Sequence, residues 1–225
     1  MRQFSGVRFL PPLLLAGLLF PAGPAALGAG AARLTAAERA QGWKLLFDGR
    51  SLRDWRGYGL DAAPATWRVE EGELRAGGEP ALVSEEFFKD FELIFDWQVE
   101  AGGRAAVHFR IGDEDLPLSL GGVVFELAGP ESEPGGNGGL QAPVRSAAPE
   151  PGRWHTARLV VFGQRVEYWV NGAQVNSFTV DGREWRAAVA SSRFQVVQGY
   201  GLDRNGPLAL SGDGARFKNI RARPL

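Results

Sequence analysis

An antiparallel all-β sandwich is the fold class the sequence predicts, and three observations predict it. The first is alternation: Phe91, Leu93, Phe95, Trp97 and Val99 are apolar while Glu92, Asp96, Gln98 and Glu100 between them are polar, the period-2 pattern of a half-buried strand. The second is a meander from Arg153 to Phe178. Trp154 to Phe162 and Val166 to Val170 flank Gly163-Gln164, and Asn171-Gly172 then turns the chain into Ala173 to Phe178. Asn-Gly is the strongest short hairpin signal because both residues tolerate the positive φ of a type I′ turn. The third is punctuation: 31 glycines and 14 prolines mark many turns, while seven Trp and 14 Phe supply core material and argue against disorder. A meander cannot bury itself alone, so it belongs to a larger two-sheet domain, a sandwich or jelly roll.

The ends of the chain set its context. Met1 to Arg8 carries Arg2 and Arg8, Phe9 to Phe20 is apolar, and Pro21 to Ala32 is rich in small residues, with Ala29-Gly30-Ala31 as a cleavage site. This is the three-part pattern of a secretory signal peptide over 1–31, predicting a secreted or periplasmic protein. Two prolines interrupt the apolar run, which falls short of the roughly 20 residues a span needs, so no stable membrane span remains after cleavage. The chain has no cysteine, which excludes both a disulfide scaffold and a lipidated cysteine and leaves stability to a hydrophobic core. Residues 42–225 are ample for a single domain. Formal net charge is −1 with acidic and basic residues interspersed, so nothing indicates a nucleic-acid partner.

In order, Thr35 to Gln41 reads as a short helix, with Thr35 as N-cap, Glu38 three residues on and Gly42 as stop. Trp43 to Phe47, Trp67 to Val69, Glu73 to Arg75 and Ala81 to Ser84 read as short strands. After Phe91 to Val99, Gly102-Gly103 predicts a turn into Ala105 to Ile111, followed by the loop Gly112 to Gly121 and the strand Val123 to Leu127. Gly129 to Gly139 reads as a flexible surface loop. Leu208 to Leu210, a turn at Ser211 to Gly214 and a last strand Arg216 to Ala222 complete the chain.

If the strands 91–99, 105–111 and 123–127 are neighbours, one face gathers Glu92, Asp96, Gln98, His108, Arg110 and Glu126. Acids, a histidine and an arginine converging on one face suit sugar recognition: His108 or Glu126 as base, Arg110 to hold an oxyanion, Asp96 and Gln98 to orient. The competing reading is a solvated face with cross-strand ion pairs. Trp169, Trp185 and Tyr200 are candidate stacking platforms for a sugar, whereas Trp97 lies on the apolar side. His155 reads as a hydrogen-bonded surface histidine. No cofactor is certain. The one candidate is a hard divalent cation such as Ca²⁺ at Asp113-Glu114-Asp115, three carboxylates against the roughly six to eight oxygen ligands that ion takes.

The ordered motifs W-K-L-L-F-D-G-R-S-L-R-D-W, W-R-V-E-E-G-E-L, F-F-K-D-F-E-L-I-F-D-W, A-V-H-F-R, P-G-R-W-H-T-A-R-L-V-V-F-G-Q-R-V-E-Y-W-V-N-G and A-R-F-K-N-I resemble the 3-keto-disaccharide hydrolase domain family across residues 42–225. The resemblance implies a concanavalin A-like jelly roll, a carbohydrate partner and cleavage of glycosides already oxidised to a ketone at C3. A C3 ketone acidifies the C2 proton, so the reaction needs a base, a proton donor for the leaving oxygen and positive charge near the developing enolate. Members commonly carry a Gln-Asp-His run before the last strand. Here Ser211 stands alone before Gly212-Asp213, and a non-catalytic carbohydrate-binding or adhesion module on the same fold is the alternative.

Overall fold

The computed structural model describes residues 32–112, 114–130, 132–145 and 148–225. The signal-peptide reading over 1–31 lies outside them. No described helix is long and apolar enough to cross a membrane.

Helix α1 (Ala36–Ala40) opens the described chain. Thr35 Oγ1 accepts the Glu38 N–H while the Glu38 carboxylate accepts the Thr35 N–H, closing a capping box. Eleven strands follow: β1 (Lys44–Leu45), β2 (Trp55–Gly57), β3 (Arg68–Glu70), β4 (Glu73–Gly77), β5 (Leu82–Phe88), β6 (Phe91–Phe109), β7 (Val123–Ala128), β8 (His155–Phe162), β9 (Arg165–Val170), β10 (Ala173–Thr179) and β11 (Gly206–Pro224). A one-turn helix α2 (Leu118–Gly121) precedes β7, and α3 (Arg183–Ala190) with a 3₁₀ turn (Arg193–Val196) separates β10 from β11.

Two strands belong to both layers. β6 pairs β8 through Phe91–Trp97 and β7 through Ala105–Phe109, while β11 lies antiparallel to β6 almost throughout. The first sheet therefore runs β10-β9-β8-β6-β11-β4-β3, with β1 also on β11; the second runs β7-β6-β11-β5-β2. Between the layers lie Phe91, Leu93, Phe95, Trp97 and Val99 from one half of β6, and Ala105, Val107 and Phe109 from the other. Phe125 of β7 stacks on Tyr168 of β9 with ring centroids 4.2 Å apart, and the Tyr168 hydroxyl donates to the Val124 carbonyl at 2.7 Å. The sheets meet face to face as the sandwich prediction requires.

The structure corrects the expected turns and the expected loop, and adds a helix. Gly102-Gly103 and Ser211–Gly214 are not hairpin turns: β6 and β11 continue through them, and the two segments face each other where Asp213 pairs Arg104 and Ala215 pairs Val99. Both strands cross there from one sheet to the other. The bend demands glycine, since a Cβ on Gly103 would lie 2.8 Å from the Asp213 carbonyl oxygen. The expected flexible loop 129–139 is pinned. The Glu126 N–H donates to the Gly136 carbonyl (3.0 Å), the Gly135 N–H to the Glu126 carbonyl (2.7 Å), and Asn176 Nδ2 to the Gly135 carbonyl (2.9 Å). It thus extends the β7 edge and ties it to β10. Finally, R-E-W-R-A-A-V-A after Gly182 forms α3, a helix-prone composition that reading for strands passed over.

Candidate functional site

The bend divides the residues that alternation had placed on one face. Because Phe91–Val99 and Ala105–Phe109 are one strand in two sheets, Glu92, Asp96 and Gln98 emerge on the outside of the first sheet, His108 and Glu126 on the outside of the second.

On the first sheet the polar groups are spent on one another. Glu92, 3 % exposed, is clamped by Arg158 and by Arg223, whose Nη2 is 2.6 Å away. Asp96 accepts hydrogen bonds from Thr156 Oγ1 (2.7 Å) and Asn219 Nδ2 (2.6 Å), and Gln98 Nε2 donates to the Gly152 carbonyl. Trp169 lies under Arg158 (5.2 Å to the ring) and donates its indole N–H to Glu167. Asp96, Gln98 and Trp169 are therefore members of a surface network remote from His108, which corrects their assignment to a common site.

Arg110 is also redirected. Its φ of +55° turns it out of strand alternation, and its guanidinium donates to the Gly201 carbonyl (2.9 Å) and to the Gly163 carbonyl. It ties the end of β6 to two loops and is not disposed to receive a substrate oxygen. Burial, reinforced by the charge of Arg204, lowers its proton affinity. Trp185 and Tyr200 are no platforms. Both are buried in a ring column in which Phe178 stacks on Trp185 (5.4 Å), Trp185 on Tyr200 (5.8 Å) and Tyr200 on Phe194 (4.1 Å). The Tyr200 hydroxyl donates to the Gly122 carbonyl at 2.9 Å. The acidic loop is likewise committed: Glu114 forms a two-point ion pair with Arg56 and accepts the Gly59 N–H at 3.1 Å. Among the described residues no group of three or more His, Cys, Asp or Glu could hold a metal ion; Asp113 lies outside them. His155 Nδ1 bonds the Asn171 amide at 3.0 Å, and Nε2 contacts the Glu150 carbonyl at 3.4 Å.

What remains together is on the outer face of the second sheet. His108 pairs in register with Val124 on one side and Ala209 on the other; Ala106 pairs with Glu126 and with Ser211. His108 is thus a diagonal neighbour of both Glu126 and Ser211, close enough for direct interaction. Its Nε2 shares a 3.1 Å hydrogen bond with Ser211 Oγ, while its buried Nδ1 has no partner among the described residues. Burial and the nearby charge of Arg193 push the imidazole down to about 4, so it is neutral at pH 7. Glu126 is half-buried, and that burial raises its proton affinity. Gly138 donates its N–H to Glu126 Oε2 at 3.3 Å, and Gly136 passes so close that a Cβ there would stand 2.6 Å from the same oxygen. Glycine lets the loop run this close: a Cβ at 136 would also lie 2.8 Å from the Glu133 carbonyl oxygen, and Gly138 has a φ of +76°.

Two walls bound this face. On one side Leu118 of α2, with Ile111, packs over Ala81, Val83 and Ala209, covering that end of the sheet. On the other stands the 3₁₀ turn, where Arg193 lies over the Phe194 ring (4.8 Å). A hollow of about 380 Å³ lies beside the chain end at Leu225, and one of about 330 Å³ lies between Leu120 and Gly121 of α2 and the segment from Val196 to Asp203; neither is lined by His108, Glu126 or Ser211. Sequence reasoning missed Ser211, read as part of a turn, and Arg193, to which it gave no role. Ser192-Arg193-Phe194 after an Ala- and Arg-rich helix was the available signal, since Ser192 Oγ accepts the Phe194 N–H.

Fold and site define a two-layer jelly roll carrying a histidine, a carboxylate and a hydroxyl on one walled sheet face. Residues 42–223 match the 3-keto-alpha-glucoside-1,2-lyase-like domain model, and the chain belongs to that family. A 3-keto-disaccharide hydrolase of Bacteroides thetaiotaomicron is 24 % identical over 230 residues, covering 83 % of this chain and 79 % of that protein. A candidate glycosyl hydrolase from Parabacteroides distasonis superposes with a TM-score of 0.77 at 21 % identity, over 87 % of this chain and all of that one. A galectin-like protein of unknown function from Bacillus subtilis gives 0.51 at 14 % identity over 80 % and 94 %. At these identities the structural likenesses speak for the fold.

Proposed function

We propose that this protein is an exported glycan-processing hydrolase that cleaves 3-keto-glycosides by elimination and hydration on the outer face of the second sheet. The observation that carries the reading is the juxtaposition of Glu126, His108 and Ser211 in a chain of this family. The names of its relatives support the substrate class.

The chemistry divides among these groups. Glu126, with its proton affinity raised by burial, takes the C2 proton; the electron pair moves onto the C3 carbonyl as an enolate. The enolate collapses, the C1–O bond breaks, and the departing oxygen takes a proton from the Ser211–His108 pair. Water then adds across the C1=C2 bond: its oxygen bonds to C1 as one of its protons passes to the Ser211–His108 pair, restoring what that pair gave up, and Glu126 returns its proton to C2. The net result is hydrolysis, with no oxidant or reductant consumed. His108, neutral at pH 7, serves as a hydrogen-bonding partner that holds Ser211 and relays a proton without carrying a charge of its own.

Incubating purified protein with 3-keto-glycosides, with and without divalent cations, tests the reading: released 3-keto-glucose is expected, and none under any condition overturns it. The burial of His108 favours one second reading, a carbohydrate-binding module. Sugar binding without turnover, unaffected by His108→Ala and Glu126→Gln, would establish that instead.

A further inference from the structure

The elimination just described needs positive charge where the enolate forms, and Arg110 cannot supply it because its guanidinium is tied to two backbone carbonyls. We propose that Arg193, on the 3₁₀ turn, is the cation of this site and binds the substrate's anionic enolate oxygen. The inference rests on the hydrolase reading for its chemistry but on independent geometry for its placement.

That geometry begins with the anchoring of the turn. Ser192 Oγ donates to the Val189 carbonyl (3.0 Å) and accepts the Phe194 N–H (3.2 Å), fixing the backbone on both sides of Arg193. The guanidinium lies over the Phe194 ring at 4.8 Å, and that ring is buried against Tyr200. A cation laid on an aromatic face keeps its N–H edges free for a ligand. The Phe194 ring edge reaches the site itself: a Cβ on Gly138 would lie 3.1 Å from Phe194 Cζ and 3.1 Å from Val124 Cγ1. Gly138 is the residue whose N–H holds Glu126, and Val124 is the register partner of His108. Arg193 thus stands over the strand pair that carries the base and the histidine, and its charge is felt by both.

Arg193 is also uncommitted. It makes no hydrogen bond or ion pair among the described residues, although Glu126 is near enough to feel its charge. Arg56, the cation on the opposite wall, is occupied by Glu114. Arg104 projects from the same strand at the bend, two residues before Ala106, the register partner of Glu126 and Ser211, and roughly 13 Å along β6 from His108, whereas Arg193 acts on both the base and the histidine. A guanidinium held in place without a carboxylate is suited to receive a negative charge that the ligand brings.

Ascorbate, a ring enediolate that is anionic at neutral pH, probes the assignment without turnover. Titrated into the protein at pH 7 and low salt, it is expected to bind, to bind at least tenfold more weakly to Arg193→Ala, and to regain part of that loss in Arg193→Lys. Arg183→Ala, which removes an exposed charge on α3, serves as the control and should bind as the parent does. No binding to the parent protein, equal binding to Arg193→Ala, or an equal loss in Arg183→Ala overturns the proposal. Turnover separates it from the hydrolase reading. If 3-keto-glycosides are cleaved, Arg193→Ala should lower kcat by roughly 100-fold or more with little change in KM. An unchanged kcat sinks the role of Arg193 and spares the reading. Arg193-dependent ascorbate binding without any turnover sinks the reading and leaves the cation assigned.

Discussion

The outer faces of the two sheets are made of similar residues, yet they differ in what those residues do. On the first sheet each of the nominated polar groups has a partner in the fold: Glu92 has Arg158 and Arg223, Asp96 has Thr156 and Asn219, Gln98 has the Gly152 carbonyl. On the second sheet, among the described residues, His108 Nδ1 is buried without a partner, Glu126 accepts a long hydrogen bond from the Gly138 N–H, and Arg193 stands near both without an ion pair. A satisfied network stabilises; an unsatisfied one is left available to a ligand. Titratable groups on one strand, β6, thus serve structure before the bend, while the group after it belongs to the site proposed for chemistry.

The sharpest way to break this contrast is to remove one carboxylate from each face and measure turnover of 3-keto-glycosides. Glu126→Gln keeps the shape of the side chain but removes the base, and kcat should fall by on the order of 100- to 10,000-fold. Asp96→Asn should leave kcat within about threefold. A comparable loss in both variants would show that the faces do not differ as described.

Stability should invert the ranking. Glu92→Gln leaves two guanidinium groups facing a neutral amide at a buried position, and urea unfolding should show a loss of about 3 kcal/mol. Glu126→Gln should change stability by less than about 1 kcal/mol, since it removes no ion pair. Equal losses would mean that Glu126 is as structural as Glu92.

The smallest effect is a pH dependence. The folded protein holds His108 at about 4, below the ordinary 6.5. Above the ordinary value the ring is neutral in both states. As pH falls through the window between the two values, the unfolded chain takes up a proton that the fold refuses, so stability is lost by up to about 3 kcal/mol. Other carboxylates titrate nearby, so the measurement is the difference between the parent and His108→Phe on going from pH 7 to 4.5. The parent should lose about 2 kcal/mol more than the variant, and parallel curves would place His108 in contact with solvent.

Much of the architecture was legible because it depends on local signals. The strand alternation at Phe91–Val99, the Asn171-Gly172 hairpin and the Thr35–Glu38 capping box are written in spacings of two to four residues. The site was legible only in part. His108 and Glu126 come to diagonal positions because each lies about five residues past a break, the first past Gly103 at the bend and the second past Gly121, on adjacent strands where alternation still holds. Asp96 and Gln98 were misplaced since a Gly-Gly pair reads the same whether the chain reverses there or bends between layers. Arg110 was misplaced by a single positive φ, and Trp185 and Tyr200 because composition does not tell a wet aromatic from one stacked on another ring.

By itself the sequence determined an all-β chain, the inward side of most strands, and the family to which its ordered motifs bear resemblance. Those follow from periodicity and turn chemistry, which act over a few residues. Only the tertiary structure decided that β6 and β11 serve two sheets, that one face is neutralised by its own ion pairs, and that a turn at residue 193 hangs a cation over residues 108 and 126. These depend on which distant segments are packed together, and pairing over about a hundred residues is set by the whole core at once rather than by any stretch of it.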